Sequence, residues 1–170
     1  MPHQVNKTYA ISVIGVIIFT LSLMVSQLWS ISPAEAVIRS MEEAPGKIMI
    51  QSRQTLKDDQ NSPWQVVLFA HKNQLELRLV GFPGRDKFAH PGTLEINLIN
   101  GQKLIAKDEF IKKSPADNVG QFDLSPLANQ LPKDQSIALS LPLTQGKCLL
   151  TIPAAVVVEW QALIQQKDTL

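Results

Sequence analysis

The chain reads as a mainly β (α+β) protein: an antiparallel sheet, built as a sandwich, roll or barrel of six to eight strands, with one C-terminal helix packed on it. Three observations carry this. First, Trp64 to His71 and Gln74 to Phe82 alternate as a hairpin. With a tight turn at Lys72-Asn73, the pairs Ala70/Leu75, Leu68/Leu77 and Val66/Leu79 put every apolar side chain on one face. Second, Asn100-Gly101 separates two apolar runs, the strongest short hairpin signal in the chain. Third, after Pro153, Val156, Val157, Trp160, Leu163 and Ile164 recur at three- and four-residue steps, the stripe of an amphipathic helix. No helix of crossover length separates the strands before the chain ends, which disfavours a parallel sheet.

Taken in order, residues 1–36 look like an export signal. Lys7 gives a positive start, Tyr9 to Val25 carries no charge, and Ala34-Glu35-Ala36 is the small-x-small pattern that a signal peptidase reads. Cleavage after Ala36 would leave 134 residues, one domain with enough chain for a core. The alternative is an uncut anchor over residues 9–31, long enough to span a bilayer. Residues 37–46 read as a flexible leader, and 47–170 as a single β-rich domain.

Within that domain, Lys47 to Leu56 is the first strand and Asp58 to Pro63 a loop. Thr93 to Ile99 and Gln102 to Phe110 flank Asn100-Gly101, but their faces conflict: Leu94, Ile96 and Leu98 point one way, Ile99, Leu104 and Ala106 the other. Either both faces are partly covered or a bulge shifts the register. Ser125-Pro126 is read as an N-cap and first-turn proline for a short helix ended by Pro132. The last hairpin is centred on Gln145-Gly146, which sets Leu143 opposite Cys148, Leu141 opposite Leu150 and Leu139 opposite Ile152. Pro142, lacking an N–H, belongs where no ladder bond is needed.

Charge and cysteine content exclude several classes. Lys and Arg number 16 against 15 Asp and Glu, with no long basic run, so there is no nucleic-acid footprint. Cys148 is alone, which rules out an internal disulfide, and its place on the apolar face of the last hairpin marks it as an inert core thiol. No phosphate loop and no Gly-x-Ser-x-Gly elbow is present, and no cofactor is expected. His71, His90 and Asp86 are the one set from which a zinc site could be drawn, a supply too poor to support a metal.

Two polar loops remain as candidate binding sites. Gly81 to Gly92 packs three glycines and two prolines around Phe82, Arg85, Asp86, Lys87, Phe88 and His90, residues suited to a carboxylate, a phosphate or a partner. Asp117 to Asp123, with Asn118 and Asp123 as its polar ends, reads as an Asx-type turn feeding Ser125; its spacing does not fit a calcium loop.

The stretches Leu79-Val80-Gly81-Phe82-Pro83-Gly84, His90-Pro91, Asn118 to Leu124, Ile152-Pro153 and Glu159-Trp160-Gln161 together resemble an uncharacterised family of exported cyanobacterial proteins, a domain of unknown function. The resemblance implies the periplasm or thylakoid lumen and no particular activity. The expected role is a non-catalytic binding or assembly module for a membrane-associated protein partner, touching the membrane only through an uncut N-terminal segment. Two alternatives are a barrel carrying a small apolar ligand such as a lipid or pigment, and a hydrolase using Asp86 and His90 in a polar cleft.

Overall fold

A computed structural model describes residues 39–44, 47–71, 74–112 and 114–167. The chain divides at Glu35/Ala36, and the unit described is the second. The export pattern, the anchor alternative and the Lys72-Asn73 turn lie outside the described residues.

Nine strands and one α-helix make up the described fold. They are β1 (Arg39–Ala44), β2 (Lys47–Lys57), β3 (Pro63–His71), β4 (Gln74–Val80), β5 (Leu94–Leu98), β6 (Lys103–Asp108), β7 (Val119–Asp123), β8 (Ile137–Leu143) and β9 (Gly146–Ile152), followed by α1 (Ala154–Lys167). Every pairing is antiparallel, and the strands form one sheet in the order β1-β2-β3-β4-β7-β6-β5-β8-β9. The mainly β architecture with a C-terminal helix is as expected; the strand beyond the expected six to eight is β1, which pairs only with β2.

The sheet curls without closing. Beyond β2, Asp58 forms a single bridge to Leu150 of β9, and the Asp59 N–H reaches the Leu149 carbonyl at 3.1 Å. Helix α1 packs on β2 and β3 and covers the inner face. Its stripe is buried as the periodicity predicts: Val156, Val157, Trp160, Leu163 and Ile164 join one continuous apolar core with Trp64, Leu68, Leu77, Phe88 and Phe122. Glu159 lies off that stripe but is also buried, its Oε2 accepting from Gln54 Nε2 at 2.8 Å.

The β3–β4 register is the expected one, with Val66, Leu68 and Ala70 opposite Leu79, Leu77 and Leu75. The β5–β6 conflict resolves through the turn. Leu94 faces Ala106 and Ile96 faces Leu104, so all four share a face. The loop is one residue longer than a two-residue turn, with Gly101 at φ 85 and its N–H bonded to Leu98 O at 3.0 Å. That is the three-residue hairpin with a left-handed glycine, and the extra residue shifts the register by one.

Three expectations are corrected. In the last hairpin Leu141 faces Cys148 and Leu139 faces Leu150, a two-residue slip from the expected pairing. A slip of two keeps every side chain on its face, so alternation could not distinguish the registers. The stretch 119–123 is no loop but strand β7, held in mid-sheet between β4 and β6. Ser125 does not cap the short 3-10 turn Ser125–Gln130; its hydroxyl accepts the Leu75 N–H of β4 at 3.0 Å. Pro142 sits where the β5 ladder has stopped, its carbonyl taking the Ala89 N–H at 2.9 Å.

Candidate functional site

At one end of the sheet, three connections converge: the loop after β2, the loop after β4 and the β8–β9 turn. They enclose a cavity of about 330 Å³ lined by Asp58, Gln60, Ser62, Arg85, Asp86, Gln145, Lys147 and Cys148 among others. Charged side chains of both signs share it with amides, a hydroxyl and a thiol.

Asp58 organises the first loop. Its Oδ1 accepts the backbone N–H groups of Gln60 at 2.9 Å and Ser62 at 2.8 Å. This is the local side chain-to-backbone bonding that aspartate offers a turn. Oδ2 takes the Trp64 indole N–H at 3.0 Å and the Cys148 thiol at 3.3 Å. Burial pulls the Asp58 pKa up, but the bonds from Trp64, Ser62, Cys148 and Gln60 together outweigh it and hold the carboxylate below its ordinary value. Cys148 responds in the opposite sense. Burial, then the Asp58 hydrogen bond and charge, push its thiol up to about 12. A thiol so held keeps its proton and is a poor nucleophile. Asp58, Asp59 and Cys148 are the one group of potential metal ligands close together among the described residues, all within 4.8 Å. Within this group the Cys148 thiol donates to Asp58 Oδ2.

The second loop carries Arg85 and Asp86. The Phe82 carbonyl accepts the N–H groups of Arg85 at 3.2 Å and Asp86 at 3.0 Å, closing a tight turn through Gly84 at φ +80. Asp86 returns a bond to the Phe82 N–H at 2.7 Å. Arg85 grips Asp86 through Nε at 2.9 Å and Nη2 at 2.8 Å. That fork, then the Phe82 N–H, lowers the Asp86 pKa against the cost of its burial. The guanidinium also lies over the Phe82 ring, 5.5 Å from its centroid. Gly81 makes the close approach possible: a Cβ there would stand 2.6 Å from Asp86 Cβ and 2.7 Å from the Trp64 ring. Gln145 of the third connection donates to the Arg85 carbonyl at 3.1 Å, and Lys147 pairs with Glu95.

The structure joins the two loops that sequence reasoning treated separately. The Gly81 N–H meets Asn118 O at 3.0 Å, and Asn118 Nδ2 returns a bond to Gly81 O at 2.8 Å. The Phe88 N–H reaches Asp117 O at 2.8 Å, and Lys87 stands 3.9 Å from the Asp117 carboxylate at the surface. Phe88 anchors the assembly in the core, edge-on to Trp64 and packed on Phe122. Gly120 leaves room for it, since a Cβ there would lie 2.7 Å from the ring.

Other candidates lie apart. Asp123, at the far end of β7, accepts the Ser125 N–H at 2.8 Å and faces Glu76. His90, whose bond to Pro91 is cis, places Nδ1 2.7 Å from Asp108 Oδ2. Asp108 also accepts from the N–H groups of Gly92 and Phe110. His90 and Asp86 are thus engaged by different partners, and His71 ends β3, so neither the hydrolase pair nor the zinc trio forms a cluster. Sequence reasoning missed Asp58, Trp64 and Lys147 as site residues. The one available signal was Asp58 ahead of Asn61-Ser62-Pro63, a turn-forming string.

The model of a family described as "Protein of unknown function (DUF3122)" matches residues 36–163, most of the chain. The chain belongs to the DUF3122 family. No curated protein and no solved structure shows significant similarity to it. The DUF3122 match spans every element from β1 to the Leu163 turn of α1, so the cavity and both polar loops lie inside the family's domain.

Proposed function

We propose that this DUF3122 protein is an exported, non-catalytic binding module whose recognition end is the cavity framed by residues 58–62, 81–86 and 143–148. One observation carries this reading: the cavity's reactive groups are already committed internally. Asp58 holds four donors, Asp86 holds a guanidinium and an amide, and the thiol is pinned to Asp58. What remains to meet a ligand is recognition chemistry at the rim: the outer N–H groups of Arg85, the Gln60 amide, and the ammonium donors of Lys147 that its pair with Glu95 leaves over. Half of the Arg85 side chain and two thirds of the Lys147 side chain are exposed. Such a rim suits an acidic or amide-bearing segment of a partner protein.

Export is supported by the apolar run Tyr9 to Val25 ahead of Ala34-Glu35-Ala36, and by the family match and the unit boundary both beginning at residue 36. The resemblance to exported cyanobacterial proteins would put the domain in the periplasm or thylakoid lumen. The apolar-carrier reading finds less support, because Trp64, Phe88, Phe122 and Trp160 fill the inside of the curled sheet.

A photo-crosslinking side chain at Gln60, in the full chain expressed in its host, tests the proposal. A discrete adduct that disappears on Arg85→Ala plus Lys147→Ala is the expected result. No adduct, or one indifferent to both changes, would refute it. Amino-terminal sequencing of the recovered protein should begin at Val37.

A further inference from the structure

The cavity opens along the backbone edge of β9, the last strand of the sheet. Beyond that edge the chain leaving β2 pairs with β9 only briefly. Asp58 bridges Leu150 in the antiparallel sense, and the Asp59 N–H reaches the Leu149 carbonyl at 3.1 Å. Continued in that register, Asn61 would stand opposite Lys147. Instead Asn61 turns away at φ 64, its N–H returning to Asp58 O at 3.0 Å, while Asp58 Oδ1 holds the turn through Gln60 and Ser62. Backbone groups two residues apart on an antiparallel strand point to the same edge, so the N–H and C=O of Lys147 face outward with those of Leu149. Pro142 agrees with this: it stands opposite Lys147, and its carbonyl points away from β9, to the Ala89 N–H at 2.9 Å. Gly146, Lys147 and Cys148 all line the cavity, and on this edge Lys147 has no main-chain partner among the described residues.

We infer that this edge takes an extended peptide segment of the partner, added as a short strand beside β9. This rests on the cavity's recognition role proposed above and adds the form of what is recognised. The ladder between β9 and the chain after β2 stops at Asp59, and the cavity lies where its next rung would be. An incoming strand supplies that rung, with one N–H and one C=O meeting the C=O and N–H of Lys147. In strand addition the main-chain bonds give affinity and alternate side chains give specificity. Charge favours main-chain recognition here. Arg85 and Lys147 share the lining with Asp58 and Asp86, and Glu95 pairs with Lys147, so neither sign is in excess to select a strongly charged ligand. Along the added strand, side chains alternate between the cavity and the outer surface. The open stretch is short, which is how a free protein keeps such an edge from pairing indiscriminately.

The test uses the full chain. The probe is a library of end-capped peptides of about six residues, an ordinary strand length, with Thr and Val alternating around varied central positions. Selection should give a binder that tolerates single backbone N-methyl groups at every second residue and loses more than about tenfold in affinity at a residue between them, where a hydrogen bond is lost. Lys147→Pro removes an N–H that the fold does not use, so the melting temperature should hold while peptide binding falls by a similar factor. Lys147→Ala keeps the N–H and should keep more of the binding. Independently of any variant, exchange of the Lys147 amide should slow when the peptide is added to the native chain. No binder, a loss without alternation, equal effects of the Pro and Ala changes, or an unprotected Lys147 amide would overturn the inference. If the Gln60 adduct still forms and still depends on Arg85 and Lys147, those results remove strand addition alone; absence of the adduct removes the recognition reading itself.

Discussion

Asp58 carries more of the site than any other single residue. Two backbone donors, an indole and a thiol all end on its carboxylate. Each donor left unpaired when partly buried costs about 1–3 kcal/mol, so Asp58→Ala should destabilise the domain by about 2–4 kcal/mol in chemical denaturation, with Asp58→Asn losing less. The pH dependence follows from the same bonds. Asp58 and Asp86 both titrate below the ordinary 3.8 when folded. Their contribution is therefore fully present above 3.8 and fades as the pH drops through the folded values. Acid unfolding of the native chain should steepen below 3.8, and Asp58→Ala should flatten that limb. Little of this was visible beforehand. Arg85 and Asp86 announced themselves through a glycine- and proline-rich loop, but Asp58, Trp64 and Cys148 are separated by up to 90 positions and meet only because β9 curls back to the end of β2.

At the level of elements, alternation and turn chemistry told faces apart well and registers less well. The β3–β4 pairing followed from matched apolar rows. In β8–β9, sliding by two leaves each face intact, and the choice falls to contacts beyond the hairpin, such as the Thr144 N–H on Lys87 O at 2.8 Å. Strand β7 escaped notice because Asn118, Gly120 and Asp123 carry turn propensity. Its place in mid-sheet is fixed by tertiary pairing with β4 and by the space Phe88 needs. Gly120 is the sensitive position in that arrangement. Gly120→Ala would drive a methyl to within 2.7 Å of the Phe88 ring. Because Phe88 anchors the 81–92 loop, a loss of about 1–3 kcal/mol is expected, together with faster amide exchange at Phe88 and Gly81.

At the largest scale, the described domain is an antiparallel sheet that curls on itself and stops short of closure, with α1 packed on β2 and β3. Helix stability of this kind comes from the buried stripe rather than from propensity, since Val156 and Val157 are β-branched. Trp160→Ala should cost about 3–5 kcal/mol and lower the melting temperature of the entire domain in one transition, because Trp160 is part of a single continuous core. The fold class and this closing stripe were both legible from periodicity; the incomplete closure was not, because it depends on strand order and curl. The central claim is that the polar end of the fold recognises a partner through groups whose own chemistry is spent. The rate of Cys148 alkylation against pH in the folded protein tests it most directly. An ionisation near 12, with reactivity still climbing at pH 10, is what the account requires. A thiolate forming at or below the ordinary thiol value of 9.0 would mean a live nucleophile in the cavity and would contradict it.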